Sequence, residues 1–243
     1  MQYDIIIIGA GPGGIFSAYE LLKNKPELKI GVFEAGAPLN KRKCPIDGKN
    51  IKSCIHCKSC AIMNGFGGAG AFSDGKYNIT NEFGGNLYEQ EAIDLMEYVD
   101  EINCKMGGEK TRLYANSDAA IAKKCLQNDL HLLKAKVRHL GTDINYVVLE
   151  NLYNELKEKA DFLKHIDMVN KVEDGFEVIC GEESYTGKQC IISTGRSGSK
   201  WMESVCSNLD IETKSDRVDI GVRVELNADT FSELTDSLYE SKI

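Results

Sequence analysis

The residues with the clearest chemical potential are Gly9-Ala10-Gly11-Pro12-Gly13-Gly14, which fit G-x-G-x-x-G. A lone glycine triplet is a weak signal, and its position matters more than its letters. It stands between the apolar run Tyr3 to Ile8 and an amphipathic stretch with Ile15, Ala18, Leu21 and Leu22 at helical spacing. In that setting Gly9 allows a tight turn, Gly11 lets the backbone approach a pyrophosphate, and Gly14 permits close packing of helix on strand. Pro12 suits the first helical turn, where a missing N–H costs nothing. The helix N-terminus then directs free N–H groups and partial positive charge at a phosphate. Glu34, twenty residues after Gly14, can accept hydrogen bonds from both hydroxyls of an adenosine ribose and would repel a 2′-phosphate. The expected ligand is therefore FAD or NAD, not NADP.

A second cluster is sulfur-rich. Cys44, Cys54, Cys57 and Cys60 crowd together, whereas Cys104, Cys125, Cys180, Cys190 and Cys206 are scattered. Four thiols in C-x9-C-x2-C-x2-C spacing match the number needed by a tetrahedral zinc or an iron–sulfur cluster. A thiol–disulfide pair is a third option, since Lys52, His56 and Lys58 would favour thiolate, and free thiols with no shared chemistry are a fourth. The scattered five read as small core or surface residues. His56, His131, His139 and His165 belong to no motif and receive no catalytic role. Lys41-Arg42-Lys43 reads as a solvated turn.

The elements that must position these groups follow from periodicity. Tyr3 to Ile8 is continuous and β-branched, as in a strand buried on both faces of a parallel sheet. With the helix through Lys23 and a second strand at Lys29 to Phe33 it forms a βαβ unit. Positions 36–85 read as one long Cys/Gly-rich loop, far beyond an ordinary connection. Helices are expected at Tyr88 to Cys104 and at Ser117 to Leu126 with Asn116 or Ser117 as cap, and again at Ile144 to Leu156 and Trp201 to Leu209. His131 to Val137 alternates like a strand. An extended stretch around Ile166 to Val172, then Gly175 to Cys180 and Gln189 to Ser193, reads as a β-meander running into a buried strand. Val218 to Glu225 is one more expected strand, its Asp219, Arg223 and Glu225 on one face.

Composition narrows the field. The chain has 243 residues, 29 basic and 37 acidic side chains and a net charge of −8, with a pI near 5.2. It lacks the basic stripe that nucleic acid demands, so no nucleic-acid partner is expected. The first apolar run is too short to span a bilayer and carries no export signal, so a cytoplasmic protein with no membrane partner is expected. An odd number of cysteines in such a chain argues against a structural disulfide framework.

Taken with Glu34, Cys44-Pro45-Ile46, Cys57 to Met63, Gly65 to Lys76, Thr194-Gly195 and Asp219 to Glu225, the chain resembles the N-terminal part of bacterial FAD-dependent dehydrogenases of the two-dinucleotide-binding flavoprotein type. The resemblance implies an α/β, Rossmann-like FAD-binding domain with a parallel sheet and an inserted β-meander. FAD would lie with its ADP half on Gly9 to Gly14 and Glu34, Val169 touching the adenine through its backbone and Thr194-Gly195 closing over the cofactor. It also sets Gly67-Gly68-Ala69-Gly70 near the pyrophosphate or flavin. There the glycines could turn successive N–H groups inward as an anion nest, with Ser73 and Asp74 adding hydrogen bonds to ribityl hydroxyls or the flavin edge. The expected division is an FAD-binding domain over 1–217 and the beginning of a truncated substrate domain over 218–243. The expected activity is a flavin-dependent oxidoreductase acting with a small-molecule substrate or electron acceptor, with a second chain supplying a missing C-terminal half. Two rivals are a noncatalytic fragment binding the ADP part of a dinucleotide and an NAD-binding dehydrogenase.

Overall fold

The computed structural model describes residues 1–84, 90–163, 165–215, 218 and 220–243. Its described residues fall into two compact units, Met1–Ser73 with Leu149–Ser215, and Asp74–Val148 with Asp216–Ile243.

The first unit is built on a six-stranded sheet. β1 (Gln2–Ile8), β2 (Ile30–Phe33), β6 (Ala160–Leu163), β7 (Met168–Val172), β8 (Gly175–Cys180) and β9 (Glu183–Ile192) stand in the order β6-β2-β1-β9-β8-β7. β1 pairs in parallel with β2 on one side and β9 on the other, and β2 pairs in parallel with β6. Successive residues Ile5 to Ile8 point to opposite faces and all are buried, so both faces of β1 are covered, which is why its isoleucines run without polar interruption. Ile6 and Ile7 are fully buried, each worth about 1.5–3 kcal/mol of transfer free energy.

The meander is present, in an economical form. β7 and β8 pair antiparallel, β8 pairs antiparallel with the start of β9, and the later residues of β9 run parallel to β1. Expected as separate segments, the last hairpin leg and the buried strand are one ten-residue strand. Helix α1 (Pro12–Asn24) follows the glycine bend as expected.

The second unit has a three-stranded antiparallel sheet, in which β5 (Ala135–His139) lies between β3 (Lys76–Ile79) and β4 (Leu113–Asn116). It also contains α2 (Gln90–Asn103), which runs into a π-helical turn at Cys104–Gly108, and α3 (Ala119–Leu126). The residues of α4 (Gly141–Leu156) up to Val148 count with this unit, and those from Leu149 with the first. Arg138 and Asp100 form a buried two-pronged ion pair, with Nη2 donating to Oδ2 at 2.7 Å. Arg138 Nη1 also donates to the Thr111 carbonyl at 2.7 Å.

Several expectations need correction. The stretch 36–85 is not wholly irregular: it holds helical turns at Leu39–Lys41 and Gly68–Phe72 and the strand β3, while Gly85 and the expected helix start at Tyr88 lie outside the described residues. α3 is capped by Asp118, whose carboxylate accepts the N–H groups of Ala120 and Ile121, because only that residue stands one place before the first helical one. The strand expected at His131 to Val137 begins later, at Ala135. The strand expected at Val218 to Glu225 is absent among the described residues: Val218, Ile220, Val222 and Val224 are exposed in irregular chain. Alternation prepares a segment for pairing, and no described strand pairs with this one; Asp219 lies outside the described residues.

Candidate functional site

A cavity of about 950 Å³ opens where the C-terminal ends of β1, β2 and β9 meet the first turn of α1. This is where ligands sit in open parallel sheets. Gly9, Gly11, Pro12 and Gly13 form one wall, Glu34 and Ala35 a second, and Ser193, Thr194 and Gly195 a third. Gly68, Ala69 and Gly70 close it from the long loop.

The glycines are required for distinguishable reasons. Gly9 has φ +101°, and a Cβ there would stand 2.5 Å from the Ser193 carbonyl oxygen. At Gly14 a Cβ would stand 1.8 Å from the Gly9 oxygen, so the bend and the first helical turn are in direct contact. Gly11, the N-cap of α1, differs: a Cβ there would meet only the Gly68 Cα, at 3.8 Å. Its bareness keeps the cavity wall low where the leading N–H groups of the helix emerge. No side chain among the described residues caps those groups, which leaves donors and the positive end of the helix for an anion.

Glu34 turns toward the bend. Its Oε2 accepts the Ala10 N–H at 2.8 Å, and its Oε1 accepts the N–H groups of Gly36 and Gly65, each at 2.8 Å. A carboxylate offers about four acceptor directions, so one remains, on Oε2, for a ribose hydroxyl.

The second glycine run is organised differently from the anion nest expected of it. Gly65 N–H goes to Glu34, Phe66 N–H to the Ala37 carbonyl, Gly67 N–H to the Ala10 carbonyl and Gly68 N–H to the Gly65 carbonyl. The Gly65 and Gly67 donors hold the loop against the bend, and the Phe66 and Gly68 donors fix its own fold. Phe66 anchors it by edge contacts with Tyr153 and Phe162, at ring centroid distances of 5.1 and 5.8 Å. Arg42, expected in a solvated turn, is buried beneath it. Its Nε, Nη1 and Nη2 donate to the carbonyls of Ala61, Phe66 and Ile62 at 2.9, 2.7 and 2.8 Å. Burial draws this guanidinium below its ordinary pKa range, opposed by the attraction of Glu34.

Ten of the expected cofactor-binding residues line this one cavity: Gly9, Gly11, Pro12, Gly13, Glu34, Gly68, Ala69, Gly70, Thr194 and Gly195. Five do not. Gly14 and Gly67 are packing positions, the latter with Leu149 Cδ1 2.8 Å from where a Cβ would be. Ser73 Oγ donates back to the Gly70 carbonyl at 2.8 Å, and Asp74 belongs to the second unit. Val169 is fully buried, and its carbonyl accepts the side-chain amide of Asn208 at 2.8 Å. The residues that reach the cavity from this part of the chain are His165 and Ile166, in the segment just before β7.

Sequence reasoning missed a further part of the wall. Lys58, Ser59, Met63 and Asn64 come from the cysteine segment, His165 and Ile166 precede β7, and Arg196 and Trp201 follow β9, Trp201 in helix α5 (Ser199–Asn208). Of these only Lys58 is singled out in the sequence, as a neighbour of the thiols; the rest are brought to the wall by tertiary folding.

The cysteine cluster does not form the expected centre. Among the described residues no three His, Cys, Asp or Glu side chains converge to hold a metal ion. Cys54 and Cys57 are exposed, Cys44 and Cys60 half-buried, and none of the nine cysteines is in a disulfide. With Asp47 accepting the N–H groups of Lys49, Asn50 and Ile51, this segment folds around turns instead of around a shared ligand. No helix among the described residues is long and apolar enough to cross a membrane.

No family model matches the chain. Thiamine thiazole synthase of Candida albicans (strain WO-1) is 56% identical over 34 residues, 14% of this chain and 10% of that protein. The corresponding protein of Yarrowia lipolytica is 51% identical over 35 residues, 14% of this chain and 11% of that protein. The chain thus matches about a tenth of the length of these curated relatives. Among solved structures, glycine oxidase from Geobacillus kaustophilus superposes with TM-score 0.50 at 14% identity, over 87% of this chain and 59% of that one. The fold is thus a Rossmann-like α/β architecture with a largely parallel sheet.

Proposed function

We propose that the first unit binds FAD through its adenosine diphosphate half and that the protein is a flavin-dependent oxidoreductase. The observation that carries this reading is the convergence, on one cavity, of the helix α1 N-terminus, the bare Gly11 and the Glu34 carboxylate. The diphosphate would lie against the helix N-terminus, with Arg196 as a side-chain cation on the same wall. The free acceptor direction of Glu34 would take one ribose hydroxyl. Gly68 to Gly70 and Thr194-Gly195 would line the path from the diphosphate toward the flavin. FAD, when bound, supplies hydride or electron transfer through its ring. The chain's own part is to hold the dinucleotide extended and to keep the diphosphate desolvated between a helix end and glycine backbone. The reaction partners are proposed to be a small-molecule donor and an electron acceptor, in the cytoplasm, with a further polypeptide segment completing the flavin end.

The test is the protein as purified. A yellow preparation that releases FAD on heat denaturation supports the proposal. A colourless one that binds ADP by calorimetry but takes up no FAD would establish the noncatalytic nucleotide-binding alternative. Uptake of NADH in place of FAD would establish the nicotinamide alternative.

A further inference from the structure

Two cysteines bracket a piece of the cavity wall. Lys58 and Ser59 stand in that wall, and they are the two residues between Cys57 and Cys60. The chain bends at Lys58 and Ser59, which draws the two cysteines closer than an extended stretch would leave them. Cys57 is exposed and Cys60 half-buried. The Cys60 end is anchored: its carbonyl accepts the N–H groups of Met63 and Asn64 at 3.1 and 2.8 Å, and the next carbonyl, of Ala61, accepts Arg42 Nε at 2.9 Å. The buried Arg42 guanidinium lies close enough to Cys60 to feel its charge. Cys54 stands apart. The chain runs through Ile55 and His56 without a bend, and the Cys54 Sγ accepts the His56 N–H at 3.4 Å. An accessible thiol followed three positions later by an anchored one with a cation beside it is the arrangement in which a first sulfur attacks and a second resolves.

We propose that Cys57 and Cys60 are a reversible dithiol–disulfide pair that reacts with small-molecule disulfides, and that its state sets the cavity wall at Lys58 and Ser59. The Cys57 thiolate attacks one sulfur of the small disulfide, whose sulfur–sulfur bond breaks, and one thiolate leaves. The Cys60 thiolate then attacks Cys57 Sγ in the mixed disulfide and expels the second. The two cysteines lose two electrons and two protons, and the small disulfide gains them as two free thiols. Bridging requires Cα atoms about 4.4–6.8 Å apart, which fixes the bend and with it the two wall residues. The bridge stands independently of any ligand; its effect on nucleotide binding rests on the dinucleotide reading above.

The reduced full chain is exposed to oxidised glutathione, the remaining thiols are blocked, and tryptic peptides are mapped by mass spectrometry. Cleavage after Lys52, Lys58 and Lys76 places Cys54 and Cys57 on peptide 53–58 and Cys60 on peptide 59–76. The expected product joins these two peptides, is assigned to Cys57 by fragmentation and is reversed by a dithiol reductant, whereas a Cys54–Cys57 bridge would lie within the first peptide. In Cys60→Ser, Cys57 is expected to retain one glutathionyl group. ADP calorimetry on the bridged and reduced wild-type forms is expected to give affinities that differ about threefold or more. The proposal is overturned if oxidised glutathione leaves only glutathionyl adducts, if the bridge maps to Cys54, or if the bridged and reduced forms bind ADP equally. Absence of ADP binding in both forms overturns the dinucleotide reading, while the peptide map still decides the bridge. Because the map is read on wild-type protein, a serine variant that fails to fold leaves the test intact.

Discussion

The Glu34 carboxylate accepts the Ala10 N–H at 2.8 Å, so the acid at the end of β2 is physically part of the glycine bend. Through Gly36 and Gly65 it also fastens the start and the far end of the cysteine segment. Glu34→Gln keeps the shape but removes the charge and replaces one acceptor with a donor facing an N–H. The expected loss is about 3 kcal/mol in urea unfolding, from weakened charge-assisted bonds, together with weaker ADP binding. Wild-type stability in this variant would mean that the three bonds contribute nothing.

Gly11 and Gly14 separate binding from folding. Gly14→Ala places a Cβ 1.8 Å from the Gly9 oxygen, and backbone must move at a cost of about 3 kcal/mol or more. Gly11→Ala meets nothing closer than 3.8 Å and is expected to cost about 1 kcal/mol or less as an N-cap change, yet it raises the wall where the diphosphate would approach. Thermal unfolding and ADP calorimetry on both variants should show opposite patterns, stability lost in one and affinity in the other.

Arg42 serves three carbonyls from a buried position. Arg42→Met retains the apolar stem and leaves the Ala61, Ile62 and Phe66 carbonyls without their donor, a cost of about 2–4 kcal/mol. Arg42→Lys should rescue little, because one ammonium cannot reproduce the fork. Limited proteolysis should show new cleavage between positions 43 and 65 in both variants before the rest of the unit is cut.

The Cys190 thiol is pushed up to about 12 by burial in β9. The unfolded chain ionises this thiol near pH 8.5, so above that pH the unfolded state releases a proton that the folded state keeps. The stabilisation is complete below pH 8.5 and is lost as pH rises toward 12, with a slope approaching about 1.4 kcal/mol per pH unit. Cys190→Val should flatten the decline in unfolding free energy between pH 9 and pH 10.5, while all other titrations remain as background. An identical slope in the two proteins would refute the assignment.

Alkylation should follow exposure. Cys54 and Cys57 are exposed, whereas Cys125 and Cys206 are buried, so iodoacetamide should label the first pair early and the second only on unfolding. With no convergent ligand set among the described residues, a chelator is expected to leave both the labelling order and the unfolding temperature unchanged.

What was legible in the sequence is what depends on local pattern. The isoleucine run of β1, the Gly9 to Gly14 bend and the helix after it can be read because burial on two faces and a helix N-terminus each leave a signature within a few residues. β6 escaped notice because Asp161-Phe162-Leu163 becomes a strand only by pairing with β2. Arg42 sits in a run of charges, and nothing local distinguishes a solvated guanidinium from one inserted under a loop. Trp201 is brought to the cavity by an indole N–H donated to the Asp167 carbonyl, a contact between distant chain positions. At Val218 to Glu225 the alternation misled for the complementary reason, since a pleated face is only half of what a strand needs.

β9 is hydrogen-bonded on both sides at Thr186 and Gly187, where its hairpin duty overlaps its place beside β1. One pleat therefore serves two partners of opposite direction. Insertion of a single residue just beyond this overlap would leave the hairpin intact but rotate Ser193 and Thr194 half a turn, carrying the cavity's third wall out of the site while most of the sheet stayed in place.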